Sequence, residues 1–504
     1  MGFKVYPVTP TELCHDGYEI KINGKPAEKN TARVSRIPFN RRWPGHQRSK
    51  DQTELVNFLS LETDEPLHFE IKPKKPFEKV VIRPVTLGIT PEVTPDGKIL
   101  FTLERPSYFT VEPYGREDAL HIFADPLKTY DVDKNDADVI YFGRGEHDVG
   151  EIRLSSNQTL FIDEGAVVYA CIRAKDAENI KILGRGILDN SKNKEKILFE
   201  ENAENNFSAV KNAVREHTVM LEYCKNIEIE GITIRDSLVY NVKPCGCEDL
   251  DIKNVKIIGC WRYNSDGIDM HNCVNVNIDN CFLRTFDDSV CVKGFDFYFA
   301  EDVEKATREA IYHNGKSYDV FKKVRVNNCV IWNDWGKCLE IGAETRAEEI
   351  CDVCFENCYI IHVNSTVLDC MNVDYADVHD ITYKNITVEF DELIPQPLLQ
   401  TSDDHEFEIT EPQYTPYLIS SEVVFHEEYS GGGARRGKNS RLTFENIHLY
   451  DDRKPKIRFV GHSHEAGISD VTVKNIYLNG KPLTANDVEI EQNEFCKNIS
   501  VLEK

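Results

Sequence analysis

Leu250-Asp251-Ile252-Lys253-Asn254-Val255-Lys256-Ile257 decides how this chain folds. Apolar residues alternate with others on both sides of one asparagine, the pattern of two short strands meeting at a bend. The same unit, apolar-x-apolar-x-Asn-apolar-x-apolar, returns at Val276 to Leu283, Val324 to Ile331, Val353 to Ile360, Ile381 to Val388, Leu442 to Leu449 and Val471 to Leu478. An earlier copy, Ile227 to Ile234, has Gly231 where the others have asparagine. Asn and Gly share a tolerance for positive φ, so the shared position is a left-handed bend. The asparagines 254, 280, 328, 357, 385, 446 and 475 are separated by 26, 48, 29, 28, 61 and 29 residues. Repeats of this length, each burying its apolar face against the next, predict an all-β solenoid, a parallel β-helix. Asparagines stacked at the bend are expected to hydrogen-bond along the ladder.

The two long intervals predict insertions, near 294–322 and 391–440. The first holds a helical stretch over 300–310; the second ends in Gly431-Gly432-Gly433, a candidate lid hinge. Residues 191–215 form a third excursion. Before the repeat, residues 1–135 read differently. Short alternating runs such as Leu67–Ile71, Lys79–Arg83, Ile99–Leu103 and Ser107–Glu112 are parted by Pro73, Pro76, Pro84, Pro91 and Asp96-Gly97. Many short strands with turn signals predict an antiparallel N-terminal β-sandwich. The expected layout is that domain over 1–135 and the β-helix over 136–504.

Composition narrows the function. A 504-residue chain with a formal net charge of −25 is a poor partner for nucleic acid, which needs a basic face. No stretch approaches the ~20 apolar residues of a membrane span. The start lacks an apolar export segment, and sixteen cysteines spread along a long chain suggest reduced thiols, so a cytoplasmic protein is expected. Cys351-x2-Cys354-x3-Cys358 has the look of a metal motif, but Cys281, Cys329 and Cys358 fall at apolar positions of the repeat. Small buried hydrophobes in a ladder is the favoured reading, with no metal or cofactor expected.

The chemistry concentrates in Asn264-Ser265-Asp266-Gly267-Ile268-Asp269 and Thr285-Phe286-Asp287-Asp288-Ser289. Asp266 and Asp287 lie 21 residues apart, about one coil, so they occupy equivalent places on neighbouring coils. Clustered carboxylates raise one another's pKa. One can then stay protonated as an acid while another holds a water as base. Calcium binding is a competing use of the same oxygens.

These two motifs, the second continuing as FDDSVCVKG, resemble the signature of glycoside hydrolase family 28, the polygalacturonase group. The resemblance covers roughly residues 140–480. It implies a right-handed parallel β-helix and an inverting mechanism, with Asp287 as general acid and Asp266 and Asp288 positioning the attacking water. The layout of a sandwich before a β-helix is also similar to glycoside hydrolase family 49, the dextranase and isopullulanase group, which acts on neutral glucans.

Two departures from the family 28 pattern bear on substrate. Lys337, in Gly336-Lys337-Cys338-Leu339-Glu340-Ile341-Gly342, stands where that family has histidine. The expected Arg-Ile-Lys motif is absent: Thr366 to Asn372 contains no base, and a uronate would meet Asp369 and Asp374. Both changes, with the acidity, point to a neutral sugar. Further candidate substrate contacts are Asn264, Asp269, His271, Lys293, Trp335, Lys337, Glu344 and Asp369, with Trp261, Trp332 and Tyr263 as weaker sugar platforms and Glu344 expected to be more exposed than Glu340. The expected partner is an oligo- or polysaccharide; a homo-oligomer is compatible with the sequence. Competing readings are a polygalacturonase or exo-galacturonidase, a calcium-dependent polysaccharide lyase, and a non-catalytic glycan-binding β-helix.

Overall fold

The computed structural model describes residues 2–36, 53–193, 217–262, 264–295, 302–390, 415–426, 430 and 435–502, with a backbone strand pair at 398–400 and 407–409. Tyr263, the excursion from 194 to 215, most of 391–414 and the Gly431-Gly432-Gly433 run lie outside the described residues, so the lid expectation has no structural counterpart here.

Up to residue 126, the described residues form two sheets. One joins Phe3–Val5, Thr53–Thr63, Leu120–Pro126, Ser107–Arg116 and Val81–Arg83, with Asn30–Ser35 on Thr53–Thr63; the other runs Lys25–Pro26, Tyr18–Ile22, Leu67–Pro73, Ile99–Leu103 and Glu92–Val93. Their inward residues, among them Tyr18, Ile20, Leu59, Leu61, Phe69, Phe101 and Phe109, share one core. The expectation of a purely antiparallel sandwich needs one correction. Leu120–Pro126 lies parallel to Thr53–Thr63. The long chain excursion between them leaves room for the crossover that a parallel pair requires.

From Val139–Phe142 onward, thirty strands among the described residues form a single sheet, in which strands pair in parallel with their equivalents one coil later, apart from the short antiparallel Lys481–Pro482. A typical coil has three strands, such as Glu248–Lys253, Lys256–Ile258 and Ile268–His271, and the next is Val274–Asp279, Phe282–Thr285 and Val290–Lys293. Inward residues of every coil stack into one continuous core. Cys281, Cys329 and Cys358 belong to that core, and all sixteen cysteines are free thiols.

The asparagine bend is as the repeat predicts. Asn254, Asn280, Asn328, Asn357, Asn385, Asn446 and Asn475 have φ of 52, 50, 56, 54, 54, 58 and 55°, and Gly231 has φ 85°. Asn280 Nδ2 donates to Asn254 Oδ1 at 2.7 Å, Asn385 to Asn357 at 3.1 Å and Asn446 to Asn385 at 2.6 Å. At the 48-residue interval the ladder changes partners: Asn328 donates to Asp279 at 3.0 Å, and Asn357 to Asn327 at 2.7 Å. The insertion there carries the helix Val303–Ile311, whose Asp302 cap accepts from the Lys305 amide at 2.9 Å.

The N-terminal sheets pack on one face of the solenoid. Phe58, Tyr108 and Phe123 meet Tyr169, Ile258, Phe282 and Trp332 in a shared cluster. Buried charges cross the same boundary: Lys256 Nζ lies 3.0 Å from Asp125 Oδ2, Arg284 donates to His121 at 3.1 Å, and Arg83 pairs with Glu389.

Candidate active site

Three neighbouring strands build the site: Ile268–His271, Val290–Lys293 and Lys337–Ile341. Register places Asp269 beside Cys291 and Cys291 beside Glu340, and the row continues through Asp369, Ser420 and Arg458. Alternation buries Ile268, Met270, Val290, Val292, Leu339 and Ile341 in the core, so this row faces outward. The carboxylates sit in the turns that enter the strands. Turn backbones are tied coil to coil: the Gly267 amide donates to Asp288 O and the Ser289 amide to Lys337 O, both at 2.8 Å. Asn241 and Asn333 side chains hold the carbonyls of Asp266 and Asp287, each at 2.7 Å. Gly336 is required here, because a Cβ would stand 2.4 Å from the Asp288 nitrogen.

This frame brings one oxygen from each of Asp266, Asp287 and Asp288 within 4.8 Å of one another. Lys293 lies among them. Its ammonium is 3.4 Å from Asp266, 2.8 Å from Asp269, 3.4 Å from Asp288 and 3.6 Å from Glu344. Lys337 forms a second knot, 2.5 Å from Glu340 and 2.9 Å from Asp369, while its amide donates to Asp288 Oδ1 at 2.9 Å. Asn264 donates to Asp287 at 3.5 Å.

Environment separates the carboxyls. Burial, then the Asp288 charge, pushes Asp287 well above the usual carboxylate range. Burial, then Asp269 and Asp287, does the same to Asp266. Asp288 behaves oppositely. Burial pushes it upward, but the Lys293 and Lys337 ammoniums, with hydrogen bonds from Glu340 and the Lys337 amide, hold it below its ordinary value. Glu340 is raised well above its ordinary value by burial and by Asp288, and so is suited to donate that hydrogen bond. The result is a neutral acid at Asp287 beside an ionised acceptor at Asp288, the division of labour that acid–base hydrolysis needs.

The other candidates divide. Asn264, Lys293, Lys337 and Asp369 join the network; Asp269 is wholly buried beneath Lys293, and Glu344, 7% exposed where Glu340 is wholly buried, faces the same ammonium. Trp335 is partly buried and stacks on Phe286, 5.6 Å between ring centres, next to Asp287. His271 is a correction. It is fully buried, its Nδ1 2.8 Å from Gly294 O, at the far end of its strand from the carboxylates. The tryptophan platforms are corrected too. Trp332 lies under the N-terminal sheets against His121 and His362, and Trp261 is buried with its indole donating to Asp236 at 3.1 Å. Asp374 is claimed by Arg346 at 2.9 Å. Glu340 and Tyr240 take larger parts than sequence reasoning assigned; the Lys293 ammonium sits 5.2 Å from the Tyr240 ring. Strand alternation signalled Glu340, which shares parity with Lys293's neighbour Cys291; nothing local signalled Tyr240.

The family model for glycosyl hydrolases family 28 matches residues 146–395. Over 86 residues, 17% of this chain and 18% of the relative, the sequence is 34% identical to a probable polygalacturonase of Vitis vinifera. Over 175 residues it is 26% identical to an exopolygalacturonase of Arabidopsis thaliana, covering 32% of this chain and 42% of that one. The chain thus spans less than half the length of either relative. Among solved structures, Dex49A from Penicillium minioluteum superposes with a TM-score of 0.57 at 13% identity, covering 95% of this chain and 92% of that one, a likeness of fold that includes the N-terminal sheets.

Proposed function

We infer that this chain, a parallel β-helix glycosidase of the family 28 kind, hydrolyses glycosidic bonds in an oligo- or polysaccharide of neutral sugars. Asp287 is the general acid: raised and neutral, it protonates the departing glycosidic oxygen. Asp288, ionised, takes a proton from the attacking water, and Asp266 completes the water's seat. The proton gained by Asp288 and the one lost by Asp287 are then exchanged with solvent, restoring the starting state.

The observation that carries the neutral-sugar reading is the saturation of both ammoniums beside the carboxylates. Lys293 is enclosed by four acidic side chains and Lys337 by two. A uronate carboxylate entering here would find its cations already taken and acidic oxygens facing it. The names of the Vitis and Arabidopsis relatives favour a second reading, cleavage of galacturonate linkages. A calcium-dependent lyase is less favoured, because the Lys293 ammonium, 3.4 Å from both Asp266 and Asp288, already supplies positive charge to two of the three carboxylates a cation would need. Inversion rests on the motif resemblance rather than on spacing, since oxygens within 4.8 Å fall short of the ~6.5–9.5 Å usual for inverting pairs.

Chromatographic product analysis tests the proposal. Wild type and Asp287→Asn are incubated in EDTA with neutral and uronate oligosaccharides. Cleavage of a neutral substrate by wild type alone is the expected result. Cleavage confined to oligogalacturonates would establish the second reading, and undiminished turnover by the variant would remove Asp287 from its role.

A further inference from the structure

The fold dismantles the cysteine motif of the sequence and builds another cluster from one of its members. Cys358 is turned into the solenoid core. Cys351, on Glu349–Glu356, faces outward on the same side as Glu349 and stands in register with His379 on the next coil. One ligand atom each from Glu349, Cys351 and His379 lie within 4.8 Å of one another. His379 Nε2 is 2.9 Å from Glu349 Oε1, and His379 Nδ1 is 2.7 Å from Asp380 Oδ2. Asp380 is itself gripped by Arg441 through two hydrogen bonds, at 2.8 and 3.0 Å.

The geometry makes this arrangement informative. His379 Nδ1 is tied to Asp380, which leaves Nε2 as the nitrogen that faces Glu349 and Cys351. Sulfur, imidazole nitrogen and carboxylate oxygen so converged form a donor set suited to a borderline-soft ion. A carboxylate fixing the far nitrogen of a histidine is the usual support of a metal-bound imidazole. The backbone ladder holds Cys351 and His379 in place before any ion arrives, and Glu349 is partly exposed and offers the route in.

We propose that Glu349, Cys351 and His379 form a binding site for a thiophilic divalent cation of the zinc type, on a different face of the solenoid from the carboxylate centre. The ion takes three protein ligands across two coils and leaves a fourth position to water. Binding converts the Cys351 thiol to thiolate and releases its proton to solvent. The ion is a cross-link between successive coils and takes no part in hydrolysis.

Cobalt(II) titration of the chelator-stripped full chain tests this. One equivalent should give a thiolate-to-cobalt charge-transfer band with intense tetrahedral visible bands, and Zn2+ should displace both. Cys351→Ser should abolish the charge transfer, Cys354→Ser should leave it intact, and Asp380→Asn should weaken affinity by ~10–100-fold without removing the band. Circular dichroism of each stripped variant controls for folding. Absence of the band in wild type overturns the proposal, as does a band that survives Cys351→Ser. Hydrolysis of sugars is not read in any arm, so failure here leaves the assignment of the carboxylate centre untouched.

Discussion

Replacing Lys293 with methionine removes one charge from the centre of the site while keeping an unbranched side chain in its place. The consequence falls on Asp269 at 2.8 Å, on Asp266, and on the ionised acceptor Asp288, whose Oδ2 lies 3.4 Å from the ammonium. At an effective dielectric constant of about 20, two unit charges at that distance attract by ~5 kcal/mol. That is a ceiling, because the Lys337 ammonium and its amide remain beside Asp288 and water can relax into the gap. Breaking buried pairs by removing one partner costs ~3–5 kcal/mol in general. Allowing for the remaining partners, and with 1.36 kcal/mol per pH unit, the acid limb of kcat/KM should move up by about 1–3. The assay is a pH profile of kcat/KM for wild type, Lys293→Met and Lys293→Arg. The methionine variant should lose activity at mildly acidic pH where wild type retains it, and arginine should restore the limb even if its bulk lowers the rate. Stability should change sign with pH as well. In wild type the folded value of Asp288 lies below its unfolded value of about 3.9, so its contribution is present above that value and is lost as pH falls through the folded value. In Lys293→Met the folded value rises above the unfolded one, and the variant gains stability relative to wild type as pH falls from neutrality. An acid limb that coincides in wild type and methionine variant would refute the assignment of Asp288 as the ionised base.

Asp287→Asn should lower kcat by ~10²–10⁴-fold with the circular dichroism spectrum retained, and the loss should shrink on substrates whose leaving group needs no proton. Because the folded value of Asp287 is raised, the basic limb of wild-type kcat/KM should lie well above the ordinary carboxylate range, and it should vanish in the asparagine variant. Lys337→Met leaves Glu340 and Asp369 buried without their cation and should destabilise by ~3–5 kcal/mol; adding Asp369→Leu should recover part of that in thermal denaturation. Asn280→Ala forfeits both the left-handed tolerance and the bond to Asn254, ~2 kcal/mol together, whereas Asn280→Gly should lose only about half as much. Proton NMR of the first-formed anomer settles the stereochemistry: inversion is expected, and retention would make a carboxylate of the trio the nucleophile.

The fold was legible because the bend residue repeats with its physics: asparagine or glycine stands at the bend of every repeat copy, at φ of 50–85°, while a second left-handed position in the same coils, held by Asp249, Lys323, Asp352, Asp380, Arg441 and Asp470, gave no such signal. The three aspartates were legible because two motifs one coil apart come together on any stacked solenoid. What escaped was every contact that crosses an irregular interval. Lys337 stands in register with Thr366 and Glu340 with Asp369, yet the Lys337 ammonium reaches across to Asp369 at 2.9 Å, and no count along the chain shows which carboxylate it meets. Trp332 and Trp335 differ by three residues and have opposite fates. The first faces the N-terminal sheets and the second stacks on Phe286 against the solenoid core, because Trp332 lies in a strand and Trp335 in the turn that follows it. The covering of one solenoid face by a separate sheet pair is a long-range fact, carried by pairs such as Lys256–Asp125 that are 131 residues apart.

The outward row Asp269, Cys291, Glu340, Asp369, Ser420 and Arg458 advances by one strand spacing, about 4.8 Å, at every coil. Asp269, Cys291 and Glu340 are wholly buried and Asp369 and Ser420 are 2% exposed, so the row is a polar spine beneath the surface. Its neighbouring charges are coupled through shared partners, as Glu340 and Asp369 are through Lys337. Replacing a single rung therefore retunes the carboxyls of the coils on either side, without disturbing the turns that hold Asp266, Asp287 and Asp288.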